Sequence, residues 1–445
     1  MQKQGLTVLK ALQVGDWRMK LSAVIMGSSQ LLHGQVLKGI WFLAVEISFF
    51  TWFLMRGIKS LNYLLTLGTH KQGFVFDKKL GINILQQGDN SMLLLLFGIA
   101  TILVVSIFLY QYWVNLKSAR TLLEFDLNHS KVPNLKEDLA KLLDSKLHIL
   151  LMSIPMIGVL AFTILPLIYM ISIAFTNYDH NHLPPKNLFT WVGFENFGNV
   201  LSGDVAGTFF PLLGWTLVWA VMATATSFLF GVLLAMLINA KGIKGKKVYR
   251  TLFILTMAVP QFITLLIMNN LLNDSGMVNT MLMNWHLISH PIPFLTDGTL
   301  AKVTVIVVNM WIGIPATMLV TTGILQNLSQ DQVEAAEIDG ANKFQIFRDL
   351  TFPQILFVMA PSLIQQFIGN INNFNVIYLL TSGGPMNSNY YNAGDTDLLV
   401  TWLYKLTIDS ADYNLASVIG ILIFTLSAIF SLFAYKRVNK MSNLG

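Results

Sequence analysis

EAAEIDGANKFQIFRDLTFP, Glu334 to Pro353, is a charged stretch enclosed by two long apolar runs, 302–326 and 354–381. Upstream, Ser329 and Gln332 have the spacing of a capping box that opens a helix. Gly340 supplies a position where the chain can turn sharply. Phe344, Phe347 and Leu350 then recur at helical spacing, which predicts a second short amphipathic helix, and Pro353 suits the opening of the next apolar helix. Between two membrane spans, a helix–turn–helix of this kind is a candidate docking knob for a soluble partner. Glu334 and Asp339 offer charge, and Ala335 and Ala336 permit close approach. An ordinary amphipathic loop has the same pattern, so both readings stand on pattern alone.

The flanks decide the fold class. Of 445 residues 54% are hydrophobic and 12% charged, against about 25% charged in soluble domains. An all-α integral membrane protein is expected. A spanning helix needs about 20 mostly apolar residues, and eight runs qualify: 36–55, 92–114, 148–175, 209–238, 251–272, 302–326, 354–381 and 413–435. The long run 209–238 implies tilt or a part outside the hydrocarbon. With no cysteine there is no disulfide framework and no thiolate metal site.

Basic residues orient the spans. Lys3, Lys10, Arg18 and Lys20 precede the first, Lys241, Lys244, Lys246, Lys247 and Arg250 follow the fourth, and Lys436, Arg437 and Lys440 follow the eighth. The net charge of +6 is thus accounted for by cytoplasmic loops rather than by nucleic acid. Both termini are expected in the cytoplasm, with a tail at 437–445. Residues 1–35 lack the features of a secretory signal peptide and read as an amphipathic basic segment at the inner membrane surface. Residues 36–114 form an accessory pair of spans, 115–147 a charged cytosolic linker, and 148–436 a six-helix core with its loop at 327–353. One loop disagrees: 56–91, expected outside, carries Arg56, Lys59, Lys71, Lys78 and Lys79. A re-entrant or interfacial first pair would resolve it.

Much chemistry is absent. No GxxxxGK[ST] phosphate loop occurs, so the chain is not an ATP-hydrolysing subunit. No HExxH and no nucleophile elbow occurs either. His286 and His290 have metal-binding spacing only if they lie on a helix, and no third ligand is near in sequence. Glu46, midway along the first run, is either a functional carboxylate or a structural one.

Amides are abundant where charges are not. The seventh run holds Gln365, Gln366, Asn370, Asn372, Asn373 and Asn375. Gln366, Asn370, Asn373 and Ile377 would share one helical face. The sixth run adds Asn309 and Gly313, with Trp311 beside them and Pro315 to bend the helix. Amides both donate to and accept from hydroxyls, so this is chemistry for an uncharged polyhydroxylated ligand such as a sugar. The same amides also serve as glue between helices, and spacing leaves that alternative open.

The Glu334–Pro353 stretch resembles the EAA loop of ABC-importer membrane subunits, matching at Glu334, Ala335, Ala336, Asp339, Gly340, Ala341 and Pro353. Phe352 stands where Leu usually precedes the Pro. From about residue 300 onward the chain is similar to the MalF-type permeases of the maltose/maltodextrin importers. The shared pieces are Asn309, Trp311 and Gly313; Asn370 with Asn372, Asn373 and Phe374; Leu380 to Pro385; and Ala393 to Val400. The resemblance implies a type I ABC-importer permease core. Its EAA loop would dock on a cytosolic ATPase, and its mid-membrane sugar site would use Asn309, Gly313, Asn370 and Asn373. Gln366 stands where a small hydroxyl residue is usual, and Gly369 and Ala316 where aromatics are usual. The implied partners are a second, homologous permease, an ABC ATPase dimer that binds the ATP, an extracellular sugar-binding lipoprotein, membrane lipid and an oligosaccharide, which the resemblance gives as maltodextrin. The short loop 176–208 fits a Gram-positive-type importer. The expected function is a transport subunit, not an enzyme, without a cofactor of its own. The alternatives are the same machine with another oligosaccharide, such as a raffinose-type galactoside, or an ion-coupled secondary sugar transporter. The secondary transporter would want charge within the core spans.

Overall fold

Backbone amides in hydrocarbon must be satisfied within the segment, so apolar runs of this length fold as helices. The computed structural model describes residues 7–77, 81–240, 242–327 and 330–442. Ser329, half of the expected capping box, lies outside them, as do Lys3, Lys78, Lys79 and Lys241. Among the described residues seven helices are long and apolar enough to cross a membrane. The pair Lys246–Ala258 and Gln261–Asn284, bent by 90°, brings the number to eight. The chain divides by contact into two units, Met1–Gly193 and Phe194–Gly445.

The first unit is built on Ser91–Leu127, a helix of 37 residues. At 1.5 Å per residue it is about 55 Å long, against roughly 30 Å of hydrocarbon. The surplus carries Lys117, Arg120, Glu124 and Asp126, so the helix runs well into the segment expected as a linker. Residues 8–32 form three short helices seated on that surplus, where Ala11 and Met19 are buried with Ala119 and Leu123. Asn115 holds them by accepting from the Gly27 amide (3.0 Å) and donating to the Ser22 carbonyl (2.9 Å). The N-terminal segment is therefore docked on the end of a long helix. Glu46 accepts from the Met26 amide at 2.9 Å, which gives the intramembrane carboxylate a structural role.

The first span is one continuous run, Val36–Thr66, with a wider turn at Phe53–Gly57. Both it and Ser91–Leu127 are continuous helices of spanning length. The loop that follows holds an antiparallel hairpin, Gly73–Asp77 with Ile82–Gln86, in register Val75 to Ile84. Alternating Phe74, Phe76, Ile82 and Ile84 explain it, although the sequence reading saw only the lysines there. The third span, Leu147–Ile173, also belongs to this unit. Its following loop is tied down by Trp191, which donates to the Leu64 carbonyl at 2.9 Å. The expected core of 148–436 is thus divided after residue 193.

The second unit centres on Ala206–Asn239 packed along Gly298–Gln326. Small residues permit the approach. A Cβ built on Gly313 would lie 2.7 Å from Ser227 Cβ, and one on Gly231 would lie 2.5 Å from Thr317 Cβ. Ser227 and Gly231 on one helix thus meet Gly313 and Thr317 on the other, a small-xxx-small contact on both sides. Trp219, Leu265, Val305, Ile377 and Leu380 form the core around it.

Two expected spans are interrupted. Run 251–272 breaks at Val259, which is extended (φ −80°, ψ 125°) as the residue before Pro260. Run 354–381 stops at Ile371 and restarts as Phe374–Thr381. Beyond it, 382–398 is an ordered cap. Trp215 donates to the Thr396 carbonyl (3.1 Å), Trp402 donates to the Tyr391 carbonyl (2.8 Å), and Lys405 Nζ lies 2.6 Å from the buried Asp397 Oδ2. Leu399–Ile408 and Tyr413–Ser442 complete the unit, the latter helix covering most of the expected tail.

Candidate translocation site and coupling loop

The break at Asn372 builds the amide site. Ending a helix orphans its last carbonyls, and starting another orphans its first amides. The Asn370 carbonyl, one of those orphans, accepts from buried Trp219 Nε1 at 3.0 Å. Asn373 caps the next helix by accepting from the Val376 amide at 3.2 Å. Its Nδ2 donates to Asn370 Oδ1 at 3.3 Å, and Asn370 Nδ2 donates to Thr224 Oγ1 at 3.0 Å. Four side chains from three helices thus form one neutral network that spends several of its polar groups on the fold. Trp219 and Thr224 were not anticipated. They are two of several tryptophans and hydroxyl residues on the run 209–238, and nothing in its pattern singles them out.

The structure sorts the expected site residues. Asn370 is buried, Asn373 and Gln366 are half-buried, and Asn309 is buried on Gly298–Gln326. Gly313 sits in the tight contact with Ser227, and a Cβ there would also lie 3.8 Å from Gln366 Nε2. The single helical face through Gln366, Asn370, Asn373 and Ile377 does not form, because the helix breaks before Asn373 and Ile377 is fully buried in the apolar core. Trp311 is not beside Asn309. Two residues along a helix is about 200° around it, and Trp311 is exposed where Asn309 is buried. Ser227 Oγ is buried with no hydrogen-bond partner, next to Gly313. Asn372 and Asn375 are exposed at the same break, and Gln365 is exposed on the helix before it. His286 and His290 lose their metal-binding geometry, since Met277–Asn284 ends before them and His286 has φ 55°.

The candidate coupling loop is held by short-range hydrogen bonds. Gln330–Ile338 ends at Gly340, whose φ of 84° is a left-handed conformation that disfavours a side chain. The Ala341 amide donates to the Ala336 carbonyl (3.0 Å) and the Gly340 amide to the Glu337 carbonyl (3.1 Å), the paired bonds of a Schellman stop. Asn342 then caps Lys343–Ile346 reciprocally with Gln345. Glu334, Ala335, Asp339 and Gly340 are exposed, and Ala336 and Ala341 partly so. Ile338 (85% exposed) and Phe344 (67%) add apolar surface at the tip. The second short helix does not stand apart from the span. It continues through a wider turn at Phe347–Thr351 into Phe352–Ile371. Pro353 lacks the N–H an unbroken α-helix would give to residue 349, which matches the wider turn. Phe347 and Phe352 root the loop against Phe228, Val232, Ile355 and Met359.

Comparison with known proteins shows the family. Residues 227–441 match the family described as binding-protein-dependent transport system inner membrane component. The chain is 37% identical over 431 residues to the maltodextrin transport system permease protein MalC of Streptococcus pneumoniae, covering 94% of this chain and 95% of that one. It is also 37% identical over 422 residues to the galactooligosaccharides transport system permease protein GanP of Bacillus subtilis, covering 94% and 96%. In fold it is similar to a chain of a bacterial ABC transporter involved in the import of the acidic polysaccharide alginate, with TM-score 0.56 and 24% identity over 68% of this chain and 98% of that one. The continuous helical path from the Gly340 turn to Asn370 and the match over nearly the whole chain lead to one assignment: the chain belongs to the binding-protein-dependent transport family, as a membrane-embedded permease subunit of the carbohydrate ABC-importer type.

Proposed function

We propose that this subunit forms half of the path for an oligosaccharide of the maltodextrin class. The observation that carries the proposal is the neutral amide network at the broken span, Asn370 and Asn373 with Gln366 alongside. Its donors and acceptors match sugar hydroxyls, and it offers no charge to an ion or a phosphate. Asn309, Gln366, Asn370 and Asn373 contact the sugar, while Gly313 gives the close helix approach that shapes the site. Both termini lie in the cytoplasm, which puts the Gly340 turn on the same side.

The partners are a second permease of similar fold, two ATPase subunits that bind and hydrolyse the ATP, and an extracellular sugar-binding lipoprotein. Closure of the ATPase dimer moves the EAA loop, with Glu334, Ala335, Ala336, Asp339, Gly340 and Ala341 at the contact, and the helices rock to face outward. The chain itself needs no cofactor. A Gram-positive-type cell envelope fits the short loop after the third span.

Uptake of labelled maltotriose by cells lacking the chain, with and without its restoration, tests this reading. Restored, ATP-dependent uptake supports it. Uptake that never depends on the chain overturns the cargo. Galacto-oligosaccharides are the second reading, favoured by the equal identity to GanP, and labelled galactobiose in the same cells separates the two.

A further inference from the structure

A cavity lined by lysines lies in the first unit, remote in sequence from the amide site. It has a volume of about 390 Å³ between the start of Val36–Trp52, the far half of Ser91–Leu127, and Leu135–Leu143. Lys38, Lys117, Lys141 and Lys146 line it, and among the described residues Asp138 is the one carboxylate in its lining. Asp138 is engaged by Lys38 (3.5 Å) and by Gln35 Nε2 (3.1 Å). The cavity therefore keeps a clear excess of positive charge.

Its depth is fixed by two aromatic residues on its wall. Tyr110 and Trp113 are exposed at the end of the apolar part of Ser91–Leu127, the position of an interfacial aromatic belt. Lys117 lies one turn further, its Nζ 5.1 Å from the Trp113 ring centroid. On the hydrocarbon side the same two helices expose Leu37, Ile40, Trp41 and Leu109. Cations at headgroup level above an exposed apolar wall are complementary to an amphiphile with an anionic head. Basic pockets between membrane helices take phosphate-bearing lipid headgroups in this way.

We propose that this cavity binds the phosphodiester headgroup of an anionic phospholipid, with its acyl chains along the Leu37–Trp41 face. A free phosphate shares the head chemistry but gives no use to that apolar face. With the orientation proposed above, the site is in the inner leaflet; binding itself does not depend on that orientation.

The test is native mass spectrometry of the purified importer complex in detergent, with phosphatidylglycerol and phosphatidylcholine added in equal amounts and neither sugar nor ATP present. The complex is expected to retain phosphatidylglycerol preferentially. The variant K117Q/K141Q/K146Q should lose that preference by about fivefold for each lysine removed, with subunit stoichiometry unchanged, and the Lys→Arg triple should keep it. An undiminished preference in the Gln variant overturns the proposal. Displacement of the lipid by excess inorganic phosphate assigns the site to the free anion and overturns the lipid reading. Loss in the Arg variant also overturns it, by pointing to packing instead of charge.

Discussion

Gly313 and Ser227 face each other across the central helix pair so closely that a side chain on residue 313 would press on Ser227 Cβ at 2.7 Å. Backbone lies directly behind both, so neither helix can yield cheaply. Gly313→Ala should destabilise the subunit by about 1–3 kcal/mol, the usual range for overpacking. Trimming the opposing residue in the double variant G313A/S227G should return part of that loss. Thermal unfolding of the purified complex measures both. Equal stability of Gly313→Ala and the parent would mean that the helices are further apart than the structure places them.

The amide network divides structural from ligand-facing roles. Asn370→Ala removes the partner of both Thr224 and Asn373, and should lower thermal stability and uptake together. Asn373→Ala loses a helix cap worth about 0.5–2 kcal/mol, and Asn373→Ser should recover most of it. Gln366→Ala, at a half-buried position, should raise the uptake KM for maltotriose with little change in stability. A Gln366→Ala subunit with unchanged KM would remove that residue from the sugar path.

At the Schellman stop the prediction is a rank order. Residue 340 needs φ near 84°, and a Cβ there meets nothing within 4 Å. Only conformation is at stake, about 1–2 kcal/mol for most residues and less for Asn. Sugar-stimulated ATP hydrolysis by the reconstituted importer should therefore fall in the order Gly, Asn, Ala, Pro at this position, with Pro uncoupled yet inserted. Wild-type transport in Gly340→Pro would sink the docking role.

Lys405 and Asp397 form a pair within the cap, with Asp397 fully buried and also accepting from the Gly394 amide. Removing one charge leaves the other without compensation. Lys405→Met should cost about 3–5 kcal/mol, and the double variant K405M/D397N distinctly less. Thermal melts of the two variants decide it; a double variant as unstable as the single one would show that the charge pairing contributes nothing.

How far the sequence carried depended on the range of the interactions. The Gly340 turn was legible because a Schellman stop is a contract among neighbours: an alanine, a glycine and an asparagine cap within seven positions. The spans were legible because length and hydropathy are local sums. The broken spans were less so. Hydropathy reads straight through Val259–Pro260 and Asn372–Asn373, although Pro and Asn are the residues that end and cap helices. Reading period 3.6 across the second break placed Ile377 with the amides, when it belongs to the apolar core. Trp219 and Thr224 could not be paired with Asn370 from sequence, since they stand about 150 residues away. The hairpin at 73–86 was masked by the lysines of its loop, which drew the reading toward topology.

The run from Lys343 to Ile371 is 29 residues without an interruption in its helical course, about 43 Å at the usual rise. Its handle begins at the Asn342 cap and its blade carries Asn370. A shaft of that kind transmits torque as faithfully as thrust, so the two ends share one angular phase. Inserting a single alanine after Leu356 would leave the handle seated and turn the blade by about 100°, moving Asn370 away from Thr224 and Trp219. Inserting a near-whole turn of four would restore the phase to within about 40° while adding length. The importer's gearing can therefore be read from which insertions it survives.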